Sequence, residues 1–138
     1  MIFDFDAFGA GALSFILAFV AAGGFTLIFK ALYRLITPHD EGKLIREGNP
    51  AAAITLGGAL IGYVIPLASA LANTHSLPEF VAWAILAGVI QIVTFWIVRR
   101  VALPDISARI ERGEISSALY LMMISIAVGI LNAACMTY

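Results

Sequence analysis

The sequence predicts an all-α integral membrane protein with four transmembrane helices. Apolar residues make up 62% of the chain and charged residues only 12%, against about 25% charged residues in soluble domains. A chain of 138 residues cannot bury that much apolar surface in one core, because small domains keep a large surface fraction. Four runs lack Asp, Glu, Lys and Arg, and each is close to or above the roughly 20 residues that cross a bilayer: 7–29, 48–78, 80–98 and 115–138.

The first span is expected at about residues 8–33. Asp4 and Asp6 precede it, where a secretory signal peptide carries basic residues. Its apolar run is also longer than the roughly 7–15 residues of a signal-peptide core. We therefore expect a permanent spanning helix and not a cleaved leader.

A phrase in the first half of the chain recurs in the second half. Ile45–Ala53 reads IREGNPAAA, and Ile110–Ala118, 65 positions later, reads IERGEISSA. Each copy lies between two apolar runs and follows a basic residue, a proline and an acid in the same order. Tandem duplication of a helix–connector–helix unit is the simplest account, with units 1–72 and 73–138. Because each unit contains two spans, the two copies are expected to be parallel and not inverted.

The first connector carries signals for the start and the end of a short helix. Thr37 before a proline, with Asp40 three positions later, predicts an N-cap and a capping-box acid. Gly48 and Gly113 are natural helix stops, so short helices in the membrane plane are expected, with irregular polar loops as the alternative. The connector residues that these signals single out are Pro38, Gly48, Asn49, Pro104 and Gly113.

The second span, at about 51–72, is the most unusual of the four. Asn49 as N-cap and Pro50 at the first helical position predict its start, and Pro66 predicts a kink. Small or hydroxyl side chains form one stripe along it, where close helix packing is favoured and a lining for an ion or small solute is the alternative. The stripe consists of Thr55, Gly58, Gly62 and Ser69.

The third and fourth spans are expected at about 79–101 and 115–136. Gln91 and Asn132 are their most polar membrane residues, and hydrogen bonds between helices are favoured over ligand binding for both. No Asp, Glu, Lys or Arg is expected in the middle of any span, so proton-coupled and voltage-sensing mechanisms lack their usual charge.

The basic residues predict the orientation of the chain. Short loops rich in Lys and Arg stay in the cytoplasm. Both connectors should therefore be cytoplasmic, and both termini and the turn at 73–78 should be periplasmic. All eight basic residues lie beside or within the connectors: Lys30, Arg34, Lys43, Arg46, Arg99, Arg100, Arg109 and Arg112.

Several function classes find no support in the sequence. The net charge of −1 argues against a nucleic-acid surface, and the single cysteine, Cys135, argues against a disulfide framework or a thiolate metal cluster. Neither a catalytic triad order nor a zinc-protease or phosphate-loop motif occurs. We therefore expect no enzymatic activity, no cofactor and no metal.

Two segments resemble a known family. TPHDEGKLIREGNPAAAITLGGALIGYVIPLASA, at 37–70, and LNAACMTY, at the C-terminus, resemble the YjfL-like small bacterial inner-membrane proteins, the domain-of-unknown-function 350 family. The resemblance covers nearly the whole chain and implies a bacterial inner-membrane location and paired two-helix repeats. It implies no activity or catalytic residues. Family members are often encoded near flotillin-like proteins, which implies an envelope-associated role.

Two kinds of function are compatible with these features. One is an oligomeric membrane scaffold or regulatory subunit, which binds the lipid bilayer, further copies of itself and, as the family resemblance implies, flotillin-like membrane proteins. The other is a small oligomeric channel or transporter for an ion or small solute. The two differ in whether the stripe on the second span packs a helix or lines a path.

Overall fold

The computed structural model describes residues 2–37, 40–102 and 104–136, and its regular structure in these ranges is entirely helical. Four helices are long and apolar enough to cross a membrane, which confirms the predicted all-α fold with four long apolar helices. The six helices are α1 (Phe5–Ile36), α2 (Glu41–Arg46), α3 (Pro50–Asn73), α4 (Leu77–Ile97), α5 (Ile106–Glu111) and α6 (Ile115–Ala134), and a π-helical turn, Val98–Ala102, continues α4.

Side-chain caps fix where α1 and α3 begin. The Asp4 carboxylate accepts hydrogen bonds from the backbone N–H groups of Asp6 and Ala7, each at 3.0 Å, and so caps α1. The Asn49 side chain accepts from the Ala52 N–H and caps α3. Caps of this kind satisfy donors that have no partner inside the helix, so they define each start locally.

The predicted role of Thr37 as an N-cap is wrong. Thr37 ends α1 as its C-cap, and its hydroxyl donates to the Tyr33 carbonyl oxygen at 2.7 Å. The N-cap of α2 is Asp40, whose carboxylate accepts from the Lys43 N–H. The apolar periodicity of α1 continues as far as Ile36, so the hydroxyl at position 37 closes one helix and does not open the next.

Helix α3 is the centre of the bundle and contacts the other three long helices. Its nearest neighbour is α6, which runs parallel to it, since Asn49 at the start of α3 contacts the segment before α6 and Ser69 contacts Ala133 near the end of α6. Three aromatic pairs attach α1 to the bundle: Phe25 with Phe80, Phe29 with Tyr63, and Tyr33 with Phe95.

Helix α1 packs much less than its neighbours. It is 32 residues long, and only Phe29 and Tyr33 are buried among them. Helix α3, with 24 residues, buries eleven. The N-terminal half of α1 therefore leaves most of its apolar surface uncovered by the rest of the described chain.

Both connectors lie at the same end of the bundle. The Asn49 amide at the end of the first connector donates to the Ile110 carbonyl in the second at 2.8 Å. The Arg99 guanidinium, at the end of α4, donates to the Ile36 carbonyl at the end of α1. The basic residues of both connectors are thus gathered at one end of the molecule.

Candidate functional site

The contact between α3 and α6 depends on three glycines. A Cβ atom at Gly62 would lie 2.5 Å from the Ser125 carbonyl oxygen, and one at Gly58 would lie 2.8 Å from the Met122 Cα. A Cβ atom at Gly129 would overlap the Gly62 carbonyl oxygen. Small residues let helix backbones approach closely where lipid removes the hydrophobic drive for association. These three glycines define what we call the α3–α6 seam.

The other members of the predicted stripe also face neighbouring helices of the same chain. The Ser69 hydroxyl donates to the Ala133 carbonyl of α6 at 3.0 Å. Thr55 is fully buried and faces α2. Pro66 is buried inside α3, which continues through it to Asn73. The stripe is therefore occupied by α6 and α2 along its length.

A buried carboxyl group lies in the first connector, at a residue that the sequence analysis does not single out. Glu41, in the first turn of α2, is 1% exposed. Its Oε1 atom accepts a hydrogen bond of 2.8 Å from the Tyr33 hydroxyl of α1 and lies 3.3 Å from the Thr55 hydroxyl of α3. Because a buried polar group without hydrogen bonds is costly, this cluster fixes α2 against both long helices.

The 65-residue spacing of the two similar phrases gives one sequence signal for Glu41, which lies four residues before the first phrase. The residue 65 positions later is Ile106, and both side chains are 1% exposed. The 65-residue spacing of the two similar phrases thus pairs a carboxyl group with a buried isoleucine, which indicates an inward-facing position. The contacts of Glu41 with Tyr33 and Thr55 depend on how three helices pack, and no local sequence pattern predicts that packing.

Gln91 and Asn132 occupy the interior of the bundle. The Asn132 amide donates to the Ala87 carbonyl of α4 at 3.3 Å, so it links α6 to α4. Gln91 is fully buried, and neither its Oε1 nor its Nε2 atom has a hydrogen-bond partner within the described residues. Its Oε1 would lie 3.3 Å from a Cβ atom at Gly62, so this amide borders the α3–α6 seam.

The predicted connector residues are placed at turns and caps, except for Pro38, which lies outside the described residues. Gly48 and Gly113 have φ angles of +85° and +78°. Side chains other than glycine rarely adopt this conformation, so each glycine ends a short helix with little strain. Asn49 follows Gly48 and ties the two connectors together, while Pro104 lies in the exposed turn before α5.

The charged side chains of the connectors form local pairs. The pKa of Asp40 is lowered, chiefly because its carboxylate accepts the Lys43 N–H. The pKa of Asp105 is lowered chiefly by a hydrogen bond from the Arg109 side chain. Arg109 also contacts Glu114 at 3.1 Å, whereas Asn49, 65 positions before Glu114, caps a helix.

No group of three or more His, Cys, Asp or Glu side chains within the described ranges could hold a metal ion. The sites that the fold does assemble are the α3–α6 seam, the Glu41 cluster with Tyr33 and Thr55, and the basic end of the bundle. These features can pack helices and bind charged groups at the membrane surface.

Comparison with known proteins places the chain in a family. The profile of the Domain of Unknown Function (DUF350) matches residues 7–136. The chain is 40% identical to the UPF0719 inner membrane protein YjfL of Escherichia coli (strain K12) over 126 residues. This aligned region covers 91% of this chain and 95% of that protein. It is 22% identical over 71 residues to the UPF0719 transmembrane protein YshE of Bacillus subtilis (strain 168), covering 51% of this chain and 53% of that protein.

No solved structure matches the chain significantly. The names of the relatives and the four apolar helices support a multi-pass protein of the inner membrane. The chain belongs to the DUF350 family of membrane proteins, as the resemblance in its connector and second span predicted.

Proposed function

We propose that the protein is a non-enzymatic, homo-oligomeric scaffold or regulatory subunit of the bacterial inner membrane, in which α1 binds a second copy of the chain. The observation that carries this proposal is the uncovered N-terminal half of α1. Helices α3, α4 and α6 pack against one another through small and polar residues. Among the described residues, those of α1 that pack into the core lie in its C-terminal half.

The face of α1 that packs against the bundle can be followed along the helix toward the N-terminus, beyond the last bundle contact. Phe25 and Phe29 lie on that face. At 3.6 residues per turn, Ala18, Ser14 and Gly11 follow on the same stripe. Ser14 and Gly11 are exposed, and a Cβ atom at Gly11 would meet no atom of the described chain within 4 Å.

A second copy of α1 suits this stripe better than lipid does. Small side chains bury little apolar area against acyl chains but allow two helix backbones to approach closely. Two parallel α1 helices related by a two-fold axis would present the same stripe to each other, which is how closed dimers form. A parallel pair also keeps both copies in the same orientation across the membrane.

Cross-linking of single cysteines tests this contact. In a Cys135→Ser background, we expect Gly11→Cys to form a covalent dimer in membranes under mild oxidation. Gly9→Cys is the matched control, because Gly9 lies on the opposite face of α1 and is equally open. Equal cross-linking at both positions, or cross-linking at Gly9 alone, would contradict the proposed interface.

The proposed topology has cytoplasmic connectors, periplasmic termini and two tandem parallel repeats. The gathering of both connectors at one end of the bundle supports it, because one end then carries the basic residues. Lys43→Cys in intact cells is expected to react only with membrane-permeant thiol reagents. Ser76→Cys, in the turn between α3 and α4, should react with impermeant reagents, and the reverse pattern would refute this orientation.

The alternative function is a small oligomeric channel or transporter. Gln91 favours it, since an amide without a partner among the described residues could bind water or an ion in the membrane. The stripe on α3 does not favour it, because α6 occupies that face. Solute flux into liposomes that Gln91→Leu abolishes would support the alternative over the scaffold.

A further inference from the structure

The contact line between α1 and α4, which we call the α1–α4 seam, contains two cavities of different character. The first, at the connector end, has a volume of about 350 Å³ and is lined in part by Ile36, Thr37, Trp96, Arg99 and Arg100. The second has a volume of about 140 Å³ and is lined mainly by apolar side chains, among them Phe25, Ile28, Leu32, Ile85 and Ile92.

The two cavities follow each other along the seam. Leu32 of the second cavity is adjacent in sequence to Tyr33 of the first. On α4, Ile92 of the second cavity is one helical turn from Trp96 of the first. A cavity that contains two arginines, at the connector end, is therefore continued by a more apolar cavity toward the middle of the bundle.

Two arginines line the first cavity among side chains that are otherwise largely apolar, and these two cations suit it to an anionic group. The Arg99 guanidinium donates to the Ile36 carbonyl, and a guanidinium carries four further N–H donors. The Arg100 guanidinium lies 5.6 Å from the ring centre of Trp96, which holds it beside the cavity. Arg99 also interacts electrostatically with the buried Glu41, and its side chain lines the cavity.

We propose that the α1–α4 seam binds an anionic phospholipid, with its phosphate at Arg99 and Arg100 and one acyl chain in the apolar cavity. Basic pockets between membrane helices bind lipid head groups by charge, and the exposed Trp96 stands at the level where indole rings meet the head groups. A free phosphate ion would use the first cavity only. The apolar cavity directly beneath it favours a phosphate that carries an acyl chain.

Lipid titration of the full-length detergent-purified protein, followed by native mass spectrometry, tests the proposal. We expect dioleoyl phosphatidylglycerol to bind the wild type and to raise its thermal unfolding midpoint. The combined variant Arg99→Gln and Arg100→Gln should bind it more weakly, by about fivefold for each arginine. Arg100→Gln alone provides the same test if the combined variant does not fold, since Arg100 is exposed and contacts Trp96.

The control variant combines Arg109→Gln and Arg112→Gln. It removes the same charge from the other connector, where both arginines already pair with carboxylates. Its affinity for phosphatidylglycerol should stay at the wild-type value. If both combined variants bound phosphatidylglycerol equally weakly, the loss of affinity would come from general surface charge, and the proposed site would be wrong.

Three further measurements distinguish binding through the phosphate from binding through the acyl chain. Dioleoylglycerol, which lacks phosphate, should bind poorly, and inorganic phosphate at the same concentration should not raise the unfolding midpoint. Ile85→Trp should obstruct the apolar cavity and weaken dioleoyl phosphatidylglycerol binding, because Ile85 lines that cavity and is 56% exposed. Stabilisation by inorganic phosphate alone, or an unchanged affinity in Ile85→Trp, would overturn the lipid assignment.

Discussion

Gly62→Ala is expected to destabilise the protein by about 3 kcal/mol, because the added methyl group has no room. Its Cβ atom would lie 2.5 Å from the Ser125 carbonyl oxygen and 2.9 Å from the carbonyl carbon. Both are backbone atoms, so no side chain can rotate away, and α3 and α6 must separate to admit the methyl group. Separation also weakens the neighbouring contact of Gly129 with the Gly62 carbonyl. The measurement is the free energy of unfolding in mixed micelles titrated with sodium dodecyl sulfate.

Gly57→Ala provides the matched control for this prediction. Gly57 lies on the same helix, and a Cβ atom there would meet no described atom within 4 Å. Alanine favours a helix over glycine by about 1 kcal/mol, so Gly57→Ala should leave the stability unchanged or raise it slightly. If Gly62→Ala and Gly57→Ala had equal unfolding free energies, the close approach of α3 and α6 would be wrong.

The four long helices could be predicted from the sequence because their signals are local. Apolar runs without charge set their approximate extent, and Asn49 with Pro50 sets the start of α3. The stripe of small residues on α3 predicted a close contact as well. It did not identify α6 as the partner, because glycine spacing describes one surface and not the surface that meets it.

The Glu41 cluster could not be predicted from local signals. An acid in a short charged connector is usually solvated, and only the packing of α2 between α1 and α3 buries it. Thr37 was misassigned for a related reason. A threonine before a proline suits both the end of one helix and the start of the next, and the continuation of α1 to Ile36 decided between them.

Glu41→Ala is expected to destabilise the protein by about 2–4 kcal/mol. The substitution removes the acceptor of the Tyr33 hydroxyl, which is then left buried without that partner, and it opens a cavity between α1, α2 and α3. Glu41→Gln should have a smaller effect, because the amide oxygen can still accept the Tyr33 hydrogen bond. Glu47→Ala is the control in the same connector, since Glu47 is exposed and its removal changes the net charge equally.

A double-mutant cycle with Tyr33→Phe separates the hydrogen bond from the cavity. In the wild type, Tyr33→Phe should cost about 1–2 kcal/mol, because the Glu41 carboxyl loses a donor at 2.8 Å. In the Glu41→Ala background it should cost nothing further, because the hydroxyl has already lost its acceptor. If the two effects were additive, or if Glu41→Ala and Glu47→Ala unfolded with equal free energy, Glu41 would not couple α2 to α1, and the attachment of α2 to the bundle would have to come from its apolar side chains.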